Sequence, residues 1–251
     1  SASVSYSDAH HVNVNAAIGV PLIRDMLAIR VAGVYDKNRG NLVTTNAPTS
    51  TETFANPQIA QPYAKTYAGR VSAVFQPTDW LKMEAMYQTQ DVKSAGFDQY
   101  ASFSLVSPGA AASPVTIRPD EYLSIQESPR AVHSTFKTYN WRAEVRLAGQ
   151  KLIYQGAHNS FVNNSKTNQD VANFRSGFDF YQTNFTKSVD NSHEVRLQNE
   201  ERVAGMFDYI IGYYHSDAAT DIALIQETPV MLPSFLGGGL ASLAQTAITR
   251  S

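Results

Sequence analysis

The side chains with a potential for catalysis or metal binding are few and scattered in this 251-residue sequence. It contains no Gly-x-Ser-x-Gly, no P-loop and no His-Glu-x-x-His, so the common signatures of serine hydrolases, nucleotide-binding proteins and zinc enzymes are absent. The lack of cysteine excludes thiolate metal sites and a cysteine nucleophile. The adjacent His10 and His11 would point to opposite faces of a strand, and we expect a solvated loop there. The sequence therefore predicts no enzyme activity, no metal site and no cofactor.

Carboxylates and arginines form a second group, because they alternate with apolar side chains. Arg142, Glu144 and Arg146 alternate with Trp141 and Val145. Alternating residues of a strand lie on opposite faces, so we expect a charged face and an apolar face. If the strands close into a barrel, the charged face would line its lumen and hydrogen-bond a domain inside it. Alternatively, it would form a water-exposed wall whose charges pair with each other. The residues predicted to lie on this face are Glu84, Arg142, Glu144, Arg146, Glu194 and Arg196.

Aromatic and arginine side chains in two long polar segments form the third group. Rings stack on aromatic or sugar-like ligands, and an arginine pairs with an anionic group. The alternative is that these rings pack the long segments onto each other, since long loops need internal packing to be ordered. The predicted ligand-binding residues are Tyr100, Phe103, Arg118, Tyr122, Arg175, Phe178 and Tyr181.

The elements that must position these groups are strands, because period-two alternation recurs along the chain. Residues 151–160 fit the alternation least well. The short connections at 21–26, 77–79, 149–150 and 200–205 alternate with long ones at about 38–63, 92–136 and 161–184, and we expect a last long loop at 217–251. The nine predicted strands are 1–7, 11–20, 27–37, 64–76, 80–91, 137–148, 151–160, 185–199 and 206–216.

This alternation of connections predicts a fold in which one end carries tight turns and the other carries long loops. Outer-membrane barrels have short periplasmic turns and long extracellular loops, with strands of about 10 residues. Only 17% of residues are charged, the net charge is -2, and no apolar stretch reaches the roughly 18 residues of a spanning helix. These values give no indication of nucleic-acid binding. We therefore predict an all-β, antiparallel up-and-down transmembrane β-barrel segment, in contact with outer-membrane lipid.

Several segments together resemble the TonB-dependent receptors of Gram-negative outer membranes. The similarity lies in strand-and-turn patterns spread over most of residues 1–217. Its main carriers are Val12-Asn13-Val14, Gly19-Val20-Pro21-Leu22, Asp25-Met26-Leu27-Ala28-Ile29-Arg30-Val31-Ala32-Gly33, Gln76-Pro77-Thr78-Asp79-Trp80-Leu81, Ser192-His193-Glu194-Val195-Arg196-Leu197 and Phe207-Asp208-Tyr209-Ile210-Ile211-Gly212-Tyr213-Tyr214.

The resemblance implies a location in the cell outer membrane and TonB-dependent uptake of a scarce ligand such as a siderophore, cobalamin or an oligosaccharide. Receptors of that family have a 22-stranded barrel closed by a plug, so the nine strands would be the N-terminal part of the barrel. The implied partners are the plug domain, the remaining strands and the small-molecule or oligosaccharide ligand. The TonB complex would act only through an N-terminal region that this sequence does not contain.

Two alternatives remain open at the level of sequence. A secreted or periplasmic β-sandwich that binds carbohydrate would also alternate apolar and polar residues, with the apolar ones facing a core. A hydrolase on a β scaffold has no set of catalytic residues to support it. We further expect residues 229–247 to form a loop insertion with a short amphipathic helix or, alternatively, a membrane-inserting peptide.

Overall fold

The computed structural model describes residues 1–7, 10–39, 43–45, 62–99, 118, 120, 122–124, 126, 128–170, 179–203 and 205–250. Most of these residues belong to one ten-stranded antiparallel sheet, in which each strand pairs with its neighbours along the chain. Its strands are β1 Ala2–Ser7, β2 His11–Ile23, β3 Leu27–Asn38, β5 Tyr63–Thr78, β6 Leu81–Gly96, β8 Arg130–Leu147, β9 Gln150–Asn168, β10 Tyr181–Asn199, β11 Ile210–Leu232 and β12 Gly239–Arg250. The sheet is not closed into a barrel, since β1 and β12 form its two edges.

A second, much smaller sheet joins two of the long connections. Its two strands, β4 Thr44–Thr45 and β7 Leu123–Ser124, pair in parallel. The first lies between β3 and β5, and the second lies between β6 and β8. Loops on the same end of the large sheet are therefore tied to each other through their backbones.

The short connections lie at the opposite end of the sheet from this ladder. Ala148 and Gly149 link β8 to β9 with φ angles of 52° and 69°. Positive φ at both central residues is the requirement of a type I′ hairpin turn, whose twist matches that of the flanking strands. The predicted antiparallel meander is confirmed, but the loop end does not carry long connections alone, since residues 233–238 join β11 to β12 there.

The observed strands are longer than predicted at the end with the long connections. Strand β8 begins at Arg130, β9 reaches Asn168 and β10 begins at Tyr181. The alternation of polar and apolar residues fades there, for example in Asn163-Asn164-Ser165, although the backbone ladder continues. The loops predicted at 92–136 and 161–184 are shorter as a result, and much of 38–63 lies outside the described residues.

The prediction for the last part of the chain was wrong. Instead of a loop over 217–251 with an amphipathic helix, β11 continues to Leu232 and forms a hairpin with β12. The hairpin tip is a three-residue 3-10 turn, Ser234–Leu236, followed by glycines with positive φ. Leu240, Leu243, Ala244 and Ala247 have helical spacing, but each pairs with a residue of β11, because the edge of β11 offers backbone hydrogen bonds.

The large sheet buries little of its own surface in the described part of the chain. Of the buried apolar side chains there, Ile153 lies in the sheet, whereas Val43 and Phe97 lie in the loop region, with Phe97 only 1% exposed. The described residues contain no helix of the length and apolarity needed to cross a membrane. The compact packing therefore occurs among the loops, and both faces of the sheet are largely open.

Candidate functional site

The strand register assigns every side chain of the large sheet to one of two faces. Directly paired residues have their side chains on the same face. Trp141 of β8 pairs with Ala85 of β6 and with Gly156 of β9, whereas Arg142 pairs with Glu84 and Gln155. We name the face with Trp141 the apolar face and the face with Arg142 the polar face.

The apolar face carries many large hydrophobic side chains that nothing in the described chain covers. Monomeric soluble proteins rarely expose a contiguous apolar surface of this extent. The exposed members include Val4, Ile18, Val20, Val31, Tyr67, Val71, Met83, Tyr139, Leu147, Leu152, Tyr154, Val195, Ile211 and Tyr213.

On seven strands of the large sheet, the part of this face that carries no Asp, Glu, Lys, Arg or His ends at a defined residue. From the short-turn end of a strand toward its loop end, none of these five residue types occurs on this face until one particular position. From β3 to β11 these first ionisable residues are Lys37, Lys65, Asp91, Lys137, His158, His193 and His215. We name this series the ionisable boundary.

The ionisable boundary crosses the strands obliquely. Lys37 pairs directly with Lys65, and His193 pairs directly with His215. At each of the four strand pairs between them, the boundary residue of the next strand lies two residues closer to the short turns than the residue that pairs with the previous boundary residue. For example, Lys137 of β8 pairs with Ser160 of β9, but the boundary residue of β9 is His158. With about 3.3 Å per residue and about 4.8 Å between strands, the boundary is inclined by roughly 40° to the line perpendicular to the strands.

Tyrosine side chains follow the same oblique line. Tyr35, Tyr67, Tyr139 and Tyr213 each lie two residues from a boundary residue, on its apolar side. The ring centroids of Tyr35 and Tyr67 are 5.1 Å apart. On four of the seven boundary strands, an amphipathic ring therefore lies between the charge-free part of this face and the boundary residue.

On the polar face, the buried carboxylate of Glu144 is the centre of a group of partly exposed cations. Its Oε1 atom lies 2.6 Å from Nη2 of Arg146 and 2.9 Å from Nζ of Lys151, and its Oε2 atom lies 3.1 Å from Nη2 of Arg142. The Glu144 side chain is only 7% exposed. Arg146 also pairs with Glu200 at 3.2 Å. Three cations around one carboxylate give a self-paired cluster that links β8 to β9.

The remaining predicted lumen residues lie beside this cluster on the same face. Glu84 pairs with Lys82 at 2.8 Å. Glu194 accepts hydrogen bonds from Nε of Arg196 at 2.9 Å and from Nε2 of Gln155 at 2.8 Å. The structure thus brings all six predicted residues together near the short turns. Whether they face a lumen or a plug stays a prediction.

The loop residues predicted to bind a ligand are only partly within the described chain. Tyr100, Phe103, Arg175 and Phe178 lie outside it. Arg118 is exposed and 4.0 Å from Asp120, and Tyr122 is exposed with a φ of 50°. The structure does not bring Arg118, Tyr122 and Tyr181 into one described pocket.

Tyr181 is fixed by neighbouring loop and strand residues. Its hydroxyl donates a hydrogen bond to Asp179 at 2.9 Å and lies 3.1 Å from Oγ of Ser128, and Nζ of Lys166 lies 3.7 Å from its ring centroid. Burial is the largest of the effects that raise the pKa of Tyr181 above its ordinary value. These contacts fit the alternative that the loop aromatics pack the loops together.

Sequence reasoning missed the close contact between Gly156 and Trp141. A Cβ atom on Gly156 would lie 2.5 Å from Cζ2 of Trp141 and 2.7 Å from the Ser192 carbonyl oxygen. The indole therefore needs a glycine on the neighbouring strand. The glycine interrupts the apolar face of β9, and the buried Ile153 interrupts its polar face, so residues 152–159 fit the alternation poorly.

Neither the protein-family models nor the curated proteins include a match to this chain. The described residues contain no group of three or more His, Asp and Glu side chains that could hold a metal ion. The functional argument therefore depends on the two faces of the sheet and on the ionisable boundary.

Proposed function

We propose that this chain forms part of the wall of an outer-membrane β-barrel, with its apolar face toward lipid and its polar face toward the lumen. The observation that carries the proposal is the oblique ionisable boundary. A flat membrane surface that meets tilted strands crosses each successive strand at a shifted residue. The inclination of about 40° falls within the 35–45° strand tilt of such barrels.

The length of the apolar segments supports the same proposal. On β3 the apolar side of the boundary extends from Leu27 to Tyr35, and on β8 it extends from Leu147 to Tyr139. Nine residues at about 3.3 Å each, tilted by about 40°, rise roughly 22 Å, close to the apolar band of about 25 Å. On β10 and β11 the apolar segments are shorter, but Met206 and Phe207 in their connection are exposed and apolar.

The tyrosines beside the boundary fit the interfacial aromatic belt of a membrane protein. Tyrosine is enriched where the apolar band meets water, because its ring is apolar and its hydroxyl is polar. Charged residues on the loop side of the belt remain hydrated. The open edges of β1 and β12 would be closed by further strands, since an unpaired edge cannot remain in a bilayer.

A secreted or periplasmic β-sandwich that binds carbohydrate is less well supported. A sandwich needs a second sheet to cover its apolar face, whereas the described residues provide only the two-stranded ladder of β4 and β7 in addition to the large sheet. A sandwich core also gives no reason for ionisable residues to follow a line inclined to the strands.

The more specific part of the proposal is TonB-dependent uptake of a siderophore, cobalamin or an oligosaccharide. It is supported by the resemblance of the strand-and-turn patterns and by the long connections on one side of the sheet. In this role the loops and the upper polar face form the ligand vestibule. The cluster around Glu144 contacts the plug or holds the lower wall together. Outer-membrane lipid, the plug and the other strands of the receptor are the expected partners.

The location is tested by the detergent requirement of the full-length protein. We expect a folded monomer in detergent and aggregation when the detergent is removed; a folded, water-soluble monomer without detergent would contradict the proposal. Uptake is tested with a deletion strain grown on a limiting nutrient of each of the three ligand classes. Loss of growth on one class, restored by the gene and abolished by a protonophore, is expected, and unchanged growth on all three would refute the transport role.

A further inference from the structure

Three lysines of adjacent strands lie directly beside each other on the apolar face. Lys37 of β3 pairs with Lys65 of β5, and Lys65 pairs with Lys93 of β6. Like charges at directly opposed positions destabilise a sheet. We name these three residues the lysine row. Such a row requires a compensating anion or a function that benefits from concentrated positive charge.

None of the three lysines forms an ion pair with a carboxylate in the part of the chain that the structure describes. Lys37 and Lys93 are exposed, and Nζ of Lys65 lies 5.2 Å from the ring centroid of Tyr63. Asp91 shares the face and interacts electrostatically with Lys93, so it compensates part of the row. Its Oδ2 atom is also 2.7 Å from Nε2 of His133 and accepts a hydrogen bond from Thr135 at 3.2 Å.

A groove lies directly on the apolar side of the lysine row. It has a volume of about 430 Å³, and Tyr35, Tyr67 and the carboxylate residue Asp91 lie at its loop end. Its floor contains Ala16, Gly33 and Gly69, which the register places in one line across β2, β3 and β5. Small residues in three adjacent strands leave space between the larger side chains on either side.

We propose that the lysine row and this groove together bind one anionic lipid of the outer leaflet, with its phosphate group on the lysines and an acyl chain in the groove. This inference rests on the proposed function, because it needs the apolar face to contact lipid. The lysine row begins at the ionisable boundary, at the level of the headgroups. From the loop end toward the short turns, the cations come first, then the tyrosine rings and then the groove. A lipid presents its phosphate group, its interfacial part and its acyl chain in the same order.

The test measures lipid selectivity of the full-length protein in phosphatidylcholine vesicles. Spin-labelled phosphatidic acid and spin-labelled phosphatidylcholine each report the fraction of lipid held at the protein surface. The variant Lys37→Gln/Lys65→Gln/Lys93→Gln removes the row. A matched variant, Arg24→Gln/Arg30→Gln/Arg202→Gln, removes the same charge elsewhere. Gly69→Leu fills the groove, where a Cβ atom meets nothing within 4 Å.

Wild-type protein should prefer phosphatidic acid, and the lysine variant should lose affinity on the order of 100-fold, since each lysine near an anionic surface strengthens binding roughly fivefold. The arginine variant should retain the preference, and Gly69→Leu should weaken it with all charges intact. The inference would be overturned if the two triple variants had equal effects, or if soluble glycerol phosphate bound as tightly as phosphatidic acid. Neither result would affect the barrel proposal. Failure of the wild type to enter vesicles would instead refute the proposed function, and with it this inference.

Discussion

An arginine introduced at two positions of the same register row should have opposite consequences. Ala16 of β2 and Ala219 of β11 lie on the apolar face, and the strand pairings connect them through one row across the sheet. Both alanines are exposed in the isolated chain. A protein surrounded by water on this face would tolerate arginine equally well at both. If a membrane crosses the sheet obliquely, the two positions lie in different media.

The register gives the depth of each position. Val12 pairs with Lys37, so the boundary on β2 is at or beyond Val12, four residues from Ala16. Four residues at about 3.3 Å, tilted by about 40°, place Ala16 roughly 10 Å inside the apolar band, near its middle. Ala219 lies four residues beyond His215 and hence about 10 Å outside the band. Arginine near the midplane costs about 2–4 kcal/mol, and near an interface about 0–1 kcal/mol.

Urea titration of the protein folded into phosphatidylcholine vesicles measures these costs, with tryptophan fluorescence as the signal. Ala16→Arg should lower the folding equilibrium constant roughly 30- to 1000-fold, whereas Ala219→Arg should change it less than about fivefold. Ala17→Arg, the neighbouring position on the polar face, is the matched control and should resemble Ala219→Arg. Equal costs for Ala16→Arg and Ala219→Arg, or a larger cost for the second, would refute the oblique boundary.

Three further variants test the contacts within the sheet and the loops. Gly156→Ala should destabilise the protein by about 1–3 kcal/mol because the new Cβ atom overlaps the Trp141 ring, and Gly69→Ala in the same assay should be nearly neutral. Glu144→Gln should cost about 1–3 kcal/mol by urea titration, because three cations lose their carboxylate but Arg142 and Arg146 stay partly hydrated, and a cost near zero would contradict the cluster. The raised pKa of Tyr181 means that the folded state holds its proton more tightly, so stability should fall as the pH rises through the ordinary tyrosine range. Tyr181→Phe should remove that part of the pH dependence. An unchanged profile of stability against pH would contradict the role of the Tyr181 hydroxyl.

The sequence was informative wherever the two faces of a strand meet different surroundings. Alternation in 139–147 correctly separated Trp141 from Arg142. The short turns before β3, β6 and β9 were placed to within a few residues because their residues interrupt the alternation, whereas β11 begins at Ile210 and not at residue 206 as predicted. Beyond the ionisable boundary polar residues occur on both faces, as at Asn163-Asn164, and apolar residues such as Phe161 and Val162 no longer keep to one face, so the pattern carries little information about where a strand ends. That loss explains the underestimated lengths of β8, β9 and β10.

Contacts between distant segments could not be derived from local patterns. The parallel pairing of β4 with β7 depends on two loops that meet only in the folded chain. Strand β12 was interpreted as a helix because its leucine and alanine spacing is helical, whereas its pairing partner in β11 decides its conformation. The lysine row likewise appears only when the register is known, since Lys37, Lys65 and Lys93 are far apart in the sequence.

The most direct test of the oblique membrane crossing is a scan of one register row with single cysteines, which the cysteine-free chain allows. The row extends from Ile18 of β2 to Asp217 of β11 and reaches the boundary at His158. Spin labels on the full-length protein in vesicles report whether oxygen from lipid or a nickel complex from water collides with each position. Labels from Ile18 to Tyr139 should contact lipid and labels at Asn191 and Asp217 should contact water. One medium along the whole row would contradict the account.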